Sequence, residues 1–281
     1  MTDNRVALVT GGLRGLGRAM SLGLARAGHP VVAVGHIDGD VAAMTEEAEK
    51  LQVGQRFYPL VADLREAGEC DRVVAETHAR FGAVDILVNN AGLTFTYIDP
   101  ARFRRDSIQR FWQVGDEIID NVIATNYLAA DRLTRRVAPA MVERGWGRIV
   151  NVTTKLDTMN RIGTHPYGAS KAALELATEV WAKDAAGSGM TINIVNPGAG
   201  ANTPGMADEM RAASAEGRVA KLVEPDEMVP PLLYVVSRAA DRVNGWRFDA
   251  NLWNPSLPPA EAAWLAGRPA GIVLHPHRDL P

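Results

Sequence analysis

Arg5-Val6-Ala7-Leu8-Val9-Thr10-Gly11-Gly12-Leu13-Arg14-Gly15-Leu16-Gly17 is the stretch on which the architecture turns. Its first half is an apolar run that stops at glycine, the pattern of a strand buried on both faces. Its second half runs into a helical repeat, with Leu16, Met20, Leu24 and Ala27 on one stripe and Gly28 as the stop. Between the two the backbone must turn tightly, and glycine tolerates the conformations that such a turn needs. The first N–H groups of a helix that starts there point at whatever sits beyond the strand. A phosphate group is the natural occupant.

The same alternation continues downstream. Val31-Val32-Ala33-Val34 reads as a second buried strand, 41–51 as a helix, 57–62 as a strand, 67–81 as a helix and Ile86-Leu87-Val88 as a strand. After a long polar insert a helix spans 118–142. Arg148-Ile149-Val150-Asn151-Val152 is then the fifth strand, 167–185 a helix and Thr191-Ile192-Asn193-Ile194-Val195 the sixth strand. Repeated β-α order demands right-handed crossovers and a mostly parallel sheet with helices on both faces. The expected fold is α/β, a doubly wound parallel sheet in a Rossmann-type three-layer sandwich. No low-complexity linker divides the 281 residues, so 1–281 reads as one domain. It carries a lid-like segment near 200–220 and a Pro-rich tail at 254–281. Apart from 259–265 that tail has little periodicity, and it is expected on the surface or on a neighbouring subunit.

Composition narrows the class. A hydrophobic content of 47% supports one large core. The formal net charge is -3 and no run of Lys and Arg makes a basic stripe, which argues against nucleic acid or an anionic membrane as partner. Cys70 is the single cysteine, so no intrachain disulfide can form, and its polar helical setting suits an inert buried thiol. Met1-Thr2-Asp3 leads straight into the first strand without a signal-peptide pattern. No apolar stretch reaches the roughly 18–20 residues of a membrane helix. The expected compartment is the cytoplasm. No His/Cys/Asp cluster has metal-ligand spacing, so no metal is expected.

Thr10 to Gly17 has the form T-G-x-x-x-G-x-G. Asp63-Leu64 ends the third strand, Asn89-Asn90-Ala91-Gly92 ends the fourth, Tyr167-Gly168-Ala169-Ser170-Lys171 opens a helix, and Asn196-Pro197-Gly198 ends the sixth strand. With these signatures in this order, the chain resembles the short-chain dehydrogenase/reductase family from Thr10 to about Thr203. The resemblance implies an oxidoreductase that moves a hydride between a nicotinamide cofactor and an alcohol or carbonyl substrate. It implies that Gly11, Leu13, Arg14, Gly15, Leu16 and Gly17 form the pyrophosphate turn. Asp63, with Leu64 beside it, would meet the adenine. The backbone of Asn90, Ala91 and Gly92 would close around the dinucleotide, and Pro197, Gly198 and Thr203 would approach its nicotinamide end. A homodimer or homotetramer is implied as well.

Tyr167 and Lys171 are four residues apart at a helix start and so project from one face. A free tyrosine titrates near pH 10, and a neighbouring ammonium favours the phenolate, so a proton can pass between phenol and substrate oxygen. The family implies that Lys171 also binds the nicotinamide ribose. A serine usually stands about a dozen residues before the tyrosine; here Thr154 takes that place, with Thr153 as the neighbouring candidate. Threonine keeps the hydroxyl but narrows the pocket and stiffens χ1. Asn126 matches the family's helix asparagine, which holds a water linked to the lysine.

The second strand ends on Gly35, where NAD-preferring relatives carry a carboxylate for the ribose. With Arg14 and His36 as partners for a 2′-phosphate, NADP is the preferred cofactor. NAD remains open, because Asp38 could serve the ribose. Phe95, Tyr97, Phe103, Phe111 and Trp112 lie in an insert near 95–117, read either as a surface excursion packed by its own aromatics or as a lid or subunit contact beside the site. Met159, Arg161 and His165 are expected to line the pocket, and 202–218 to cover it. Arg161 and Lys155 could recognise a carboxylate. Trp246, Trp253 and Trp264 suggest apolar docking of the tail. Two other readings stay open: an epimerase or dehydratase of the extended family, and a cofactor-binding regulator with a decayed site.

Overall fold

A computed structural model of the chain describes residues 4–104 and 108–272. The Met1-Thr2-Asp3 start, positions 105–107 of the insert and positions 273–281 of the tail lie outside the described residues. Strands β1 (Ala7–Thr10), β2 (Val31–Gly35), β3 (Phe57–Val61), β4 (Ile86–Asn89), β5 (Gly147–Asn151), β6 (Met190–Asn196), β7 (Trp246–Asp249) and β8 (Gly267–Pro269) form one sheet in the order β3-β2-β1-β4-β5-β6-β7-β8. Pairing is parallel from β3 to β7, and β8 is antiparallel on β7. The chain begins at the centre, winds outward to β3, then recrosses to β4. The strand order therefore reverses between β1 and β4, and in such sheets ligands bind outside the carboxyl ends of the strands at that switch point.

The helices are α1 (Gly15–Arg26), α2 (Gly39–Lys50), α3 (Ala67–Phe81), α4 (Phe95–Ile98), α5 (Asp116–Ile123), α6 (Ala129–Glu143), α7 (Leu156–Met159), α8 (Tyr167–Asp184), α9 (Asp208–Ala215), α10 (Val229–Val236) and α11 (Pro259–Ala266). All residues of β1, β4, β5 and β6 are buried. Their near-continuous apolar runs follow from that, since helices cover both faces. On one side Met20 and Leu24 of α1, Met44 of α2 and Leu232 of α10 pack on Val9, Val31 and Phe248. On the other, Val73 of α3, Leu133 and Met141 of α6 and Ala182 of α8 pack on Leu8, Leu87 and Ile149. Cys70 is fully buried in the second layer, and burial pushes its thiol pKa up, which keeps it unreactive.

Two features depart from the sequence reading, and a third adds to it. The helix expected over 118–142 is interrupted by a π turn at Ala124–Leu128, which joins α5 to α6. Strands β7 and β8 were not foreseen, because β7 is four residues long and carries Arg247 and Asp249, and β8 is three residues long. Neither offers an apolar run or an alternation to detect. Finally, 254–272 of the tail docks on its own chain. It contributes α11 and β8, and Trp253 packs on Tyr234 at 5.8 Å between ring centroids. Trp246 is partly buried against the core, whereas Trp264 is 77% exposed.

Phe248 of β7 is 2% exposed and faces Tyr234, Gly267 and the α10 layer, so it anchors the sheet edge. Phe248→Ala is expected to lower the unfolding free energy by about 3–5 kcal/mol. Urea denaturation followed by circular dichroism reads that loss, and a change within 1 kcal/mol, the least such a cavity can cost on the order of this scale, would contradict the packing described.

Candidate active site

The turn between β1 and α1 is built on close approach. Gly11 and Gly15 adopt φ of +61° and +54°, the left-handed region, and a β-carbon on Gly17 would lie 2.0 Å from the Gly11 carbonyl oxygen. The extended Arg14 precedes α1 without a side-chain cap, and no acidic residue stands in the first turn. The first N–H groups of α1 thus stay available to an anion. Leu16 is partly buried against the core. Leu13 is 3% exposed, and its Cδ1 lies 2.8 Å from where a β-carbon on Gly35 would stand. That contact explains why β2 ends in glycine and not in a carboxylate.

Arg14 is not free. Its Nε and Nη2 donate to both oxygens of Asp40, at 2.6 and 2.7 Å. The exposed His36 stands near Asp63, whose carboxyl Arg65 grips at 2.6 Å and holds below the usual carboxylate range. Leu64 is buried in the core. Asn90 binds the glycine turn instead of solvent. Its Nδ2 donates to the Thr10 and Gly11 carbonyls at 2.9 and 3.2 Å, while the Asn90 and Ala91 N–H groups donate to the Thr10 hydroxyl at 3.0 Å.

Behind this turn lies the reacting end. Lys171 is 4% exposed, and its Nζ donates to the Val152 carbonyl at 2.8 Å. Burial lowers its pKa to about 8. A β-carbon on Gly92 would lie 3.4 Å from both Lys171 Nζ and Asn126 Oδ1, so these two side chains flank one backbone position. Asn126 sits in the π turn. Its Oδ1 accepts from Leu93 N–H at 2.7 Å, and its Nδ2 donates to the Leu93 carbonyl at 3.1 Å and the Ser170 hydroxyl at 3.0 Å. It clamps the end of Asn89-Asn90-Ala91-Gly92 to α8.

Tyr167 opens α8, and the Thr154 hydroxyl faces its phenol closely enough to favour the phenolate. Thr153 turns away and donates to Glu175 at 2.9 Å, so of the two threonines Thr154 faces the tyrosine. The phenol's pKa is raised, because loss of solvation outweighs the opposite influence of the Thr154 hydroxyl. This corrects the expectation that the lysine charge dominates. The ammonium is itself desolvated and points at a carbonyl, so burial wins at both groups.

The insert reaches the site. Phe95 packs on Tyr167 with centroids 4.7 Å apart, and the Arg102 guanidinium lies 4.4 Å from the Phe95 ring centroid while donating to the Gly163 carbonyl. Ile98, Val114 and Val122 form a small core with Tyr167 at its edge. The insert therefore packs against Tyr167 as well as on itself. Burial and the neighbouring charge of Arg161 both lower the pKa of Arg102. Lys155 is taken up by Asp157 at 3.0 Å, which leaves Arg161 as the better placed of the two cations expected to meet a carboxylate. His165 stacks edge-on to Phe111 at 6.4 Å. Over the turn, Thr203 lies 3.3 Å from a β-carbon placed on Gly15, and Thr94 and Thr96 donate to the Gly205 carbonyl at 2.8 and 2.9 Å. The segment before α9 thus bridges the insert and the glycine turn. At the far side Asn251 N–H donates to the Pro197 carbonyl at 3.1 Å, and Gly198 has φ of +73°.

Sequence reading missed the contact of Phe95 with Tyr167, the clamp made by Arg102, the Glu175 partner of Thr153 on α8 and the Arg247 partner of Thr154 on β7. An arginine two residues from an aspartate in a Trp-Arg-Phe-Asp run was the one available signal for the last.

A dinucleotide fits these residues. The side-chain-free turn faces the uncapped α1 start, and among the described residues Lys171 spends one of its three donors, on Val152. No helix among the described residues is long and apolar enough to cross a membrane.

The sequence profile described as short chain dehydrogenase matches residues 5–214. Nodulation protein G of Azospirillum brasilense is 32% identical over 256 residues, which cover 89% of this chain and 97% of that protein. The 2-dehydro-3-deoxy-D-gluconate 5-dehydrogenase of Escherichia coli (strain K12) is 32% identical over 87% of this chain and 92% of its own length. A crystal structure of a variant of actinorhodin polyketide ketoreductase with NADPH superposes with a TM-score of 0.73 at 27% identity, covering 87% of this chain and 94% of that one.

The tightest requirement in the site is the missing side chain at position 17. Gly17→Ala is expected to destabilise the fold by about 1–3 kcal/mol through forced overpacking and to abolish the rise in melting temperature on adding NADPH. Thermal denaturation with and without the dinucleotide measures both.

Proposed function

Because this chain belongs to the short-chain dehydrogenase family and is an NAD(P)-dependent oxidoreductase acting on alcohol or carbonyl groups, we propose that Tyr167, Thr154, Lys171 and Asn126 are its working residues and that it reduces a carbonyl with NADPH. The observation that carries this reading is the placement of the Thr154 hydroxyl against the phenol of Tyr167, one helical turn from the buried Lys171, while Thr153 is committed to Glu175. The dinucleotide, when bound, supplies or takes up the hydride. The turn at Gly11, Gly15 and Gly17 and the start of α1 receive its pyrophosphate, and the donors of Lys171 left over from Val152 hold ribose hydroxyls. Thr154 orients the substrate oxygen. Tyr167 gives its proton to that oxygen as negative charge builds there, or takes one from an alcohol in the reverse direction. In the free protein the phenol is kept protonated, which is the form that donates, and this favours reduction at neutral pH.

The oxidoreductase reading prevails over the epimerase or dehydratase reading, since the relatives named above include a dehydrogenase and a ketoreductase and the family profile spans the catalytic residues. An intact Tyr-Lys-Thr arrangement also speaks against a decayed regulator. NADP is favoured over NAD by the absence of a carboxylate at Gly35 and by the NADPH in the related ketoreductase structure. Arg14 would have to leave Asp40, or share itself, to meet a 2′-phosphate.

Tyr167→Phe is expected to lower kcat for carbonyl reduction by about 10²–10⁴-fold while the dinucleotide still binds. For the unaltered protein kcat/KM for reduction should be level near neutrality and fall above pH about 8. There Lys171 gives up its proton, while Tyr167, shifted the opposite way, keeps its own. A profile flat to pH ~10, the ordinary range of lysine, would remove Lys171 from the mechanism. Stopped-flow oxidation of NADPH over a panel of ketones reads both. Separately, Arg14→Ala should raise the KM for NADPH about tenfold with little change for NADH, and Asp40→Asn should lower it by releasing the guanidinium. Equal effects on the two cofactors would overturn the 2′-phosphate assignment.

A further inference from the structure

Beneath the active site lies a charged cluster that the reaction chemistry leaves unused. Arg247 of β7 and Glu175 of α8 are both 0% exposed at their side chains. Arg247 Nη1 donates to Glu175 Oε2 at 2.7 Å, and Nη2 donates to the Thr154 carbonyl at 3.0 Å and to Asp249 Oδ1 at 3.1 Å. Glu175 follows Tyr167 and Lys171 at four-residue intervals on α8, and it also accepts the Thr153 hydroxyl at 2.9 Å and the Gly271 N–H at 3.3 Å. Asp249 accepts from the Asn196 amide, whose oxygen in turn accepts the Gly198 N–H at 2.8 Å.

One guanidinium therefore ties together the loop that carries Thr154, the helix that carries Tyr167 and Lys171, and the Pro197-Gly198 turn. Stability does not require charges there, because well-packed apolar residues in place of a buried ion pair are often as stable or more so. What the planar fork adds is direction, since each N–H fixes the angle as well as the distance of its acceptor.

We propose that Arg247 is a positioning residue for turnover, holding the Thr154 hydroxyl in register with the Tyr167 phenol through the Thr154 carbonyl and Glu175. The inference rests on the Tyr167-Thr154 reading above. Lysine at position 247 keeps the charge but cannot serve Glu175, Thr154 and Asp249 from a single point. The Thr154 loop then relaxes away from the tyrosine.

The test uses the full-length protein in two forms, Arg247→Lys and the double replacement Arg247→Met with Glu175→Met, the second removing the two fully buried charges together and leaving Asp249 to Asn196 and Arg268. In each, kcat is expected to fall about 10- to 100-fold, the scale of a small misplacement of reacting groups, with the dissociation constant for NADPH within about twofold of its original value. The rising limb of alcohol oxidation against pH should move upward, because the phenol loses its Thr154 partner. A folded variant of either kind with unchanged kcat and an unmoved limb overturns the proposal. So does a parallel loss of turnover and NADPH affinity with the limb in place, which marks general loosening. Tyr167→Phe separates the levels: if that variant stays active the underlying reading fails, and if it is inactive while both position-247 forms turn over normally, the positioning role alone fails.

Discussion

An ammonium group taken out of water is the constraint on which the rest of the site depends. Lys171 is 4% exposed and meets the Val152 carbonyl at 2.8 Å, without a carboxylate partner among the described residues. A buried unpaired cation is costly, and its pKa falls to about 8 as a result. The site stays sound because the group is poised between charged and neutral forms near physiological pH and retains donors for a polyhydroxylated ligand. The neighbouring glycine at position 92 leaves the space open, and Asn126 in the π turn holds that backbone in place.

How far the sequence disclosed this can be judged residue by residue. The first six strands and the helices between them were legible, because a parallel sheet covered on both faces needs unbroken apolar runs, and Val31 to Val34 or Ile86 to Val88 are such runs. The glycine turn was legible for a related reason: a β-carbon at position 17 has nowhere to go. Tyr167, Lys171 and Thr154 do lie together at one end of the sheet. What was hidden depends on partners far apart in the chain. Arg14, read as a partner for a 2′-phosphate, is held by Asp40 from 26 residues further on. Strand β7 was hidden because its arginine is satisfied by Glu175, 72 residues earlier. Local patterning cannot report that.

Two kinds of cation stand near Tyr167, and they act differently. Arg247 sits against Glu175 and Asp249, so its charge is cancelled at short range and it contributes little field. Its influence is mechanical, through the Thr154 carbonyl. Lys171 and Arg102 form no short ion pair among the described residues, although the charge of Asp99 acts on Arg102, and burial lowers the pKa of both. Positive charge that is poorly hydrated stabilises negative charge more strongly than the same charge in water. A developing alkoxide next to Tyr167 would supply that negative charge. The insert that brings Phe95 against the phenol also brings Arg102 against Phe95, so one loop both excludes water and raises the local positive potential. Shape and field at this site therefore have one structural origin. A change in the insert is bound to alter both together, whereas a change at β7 alters geometry and leaves the field as it was.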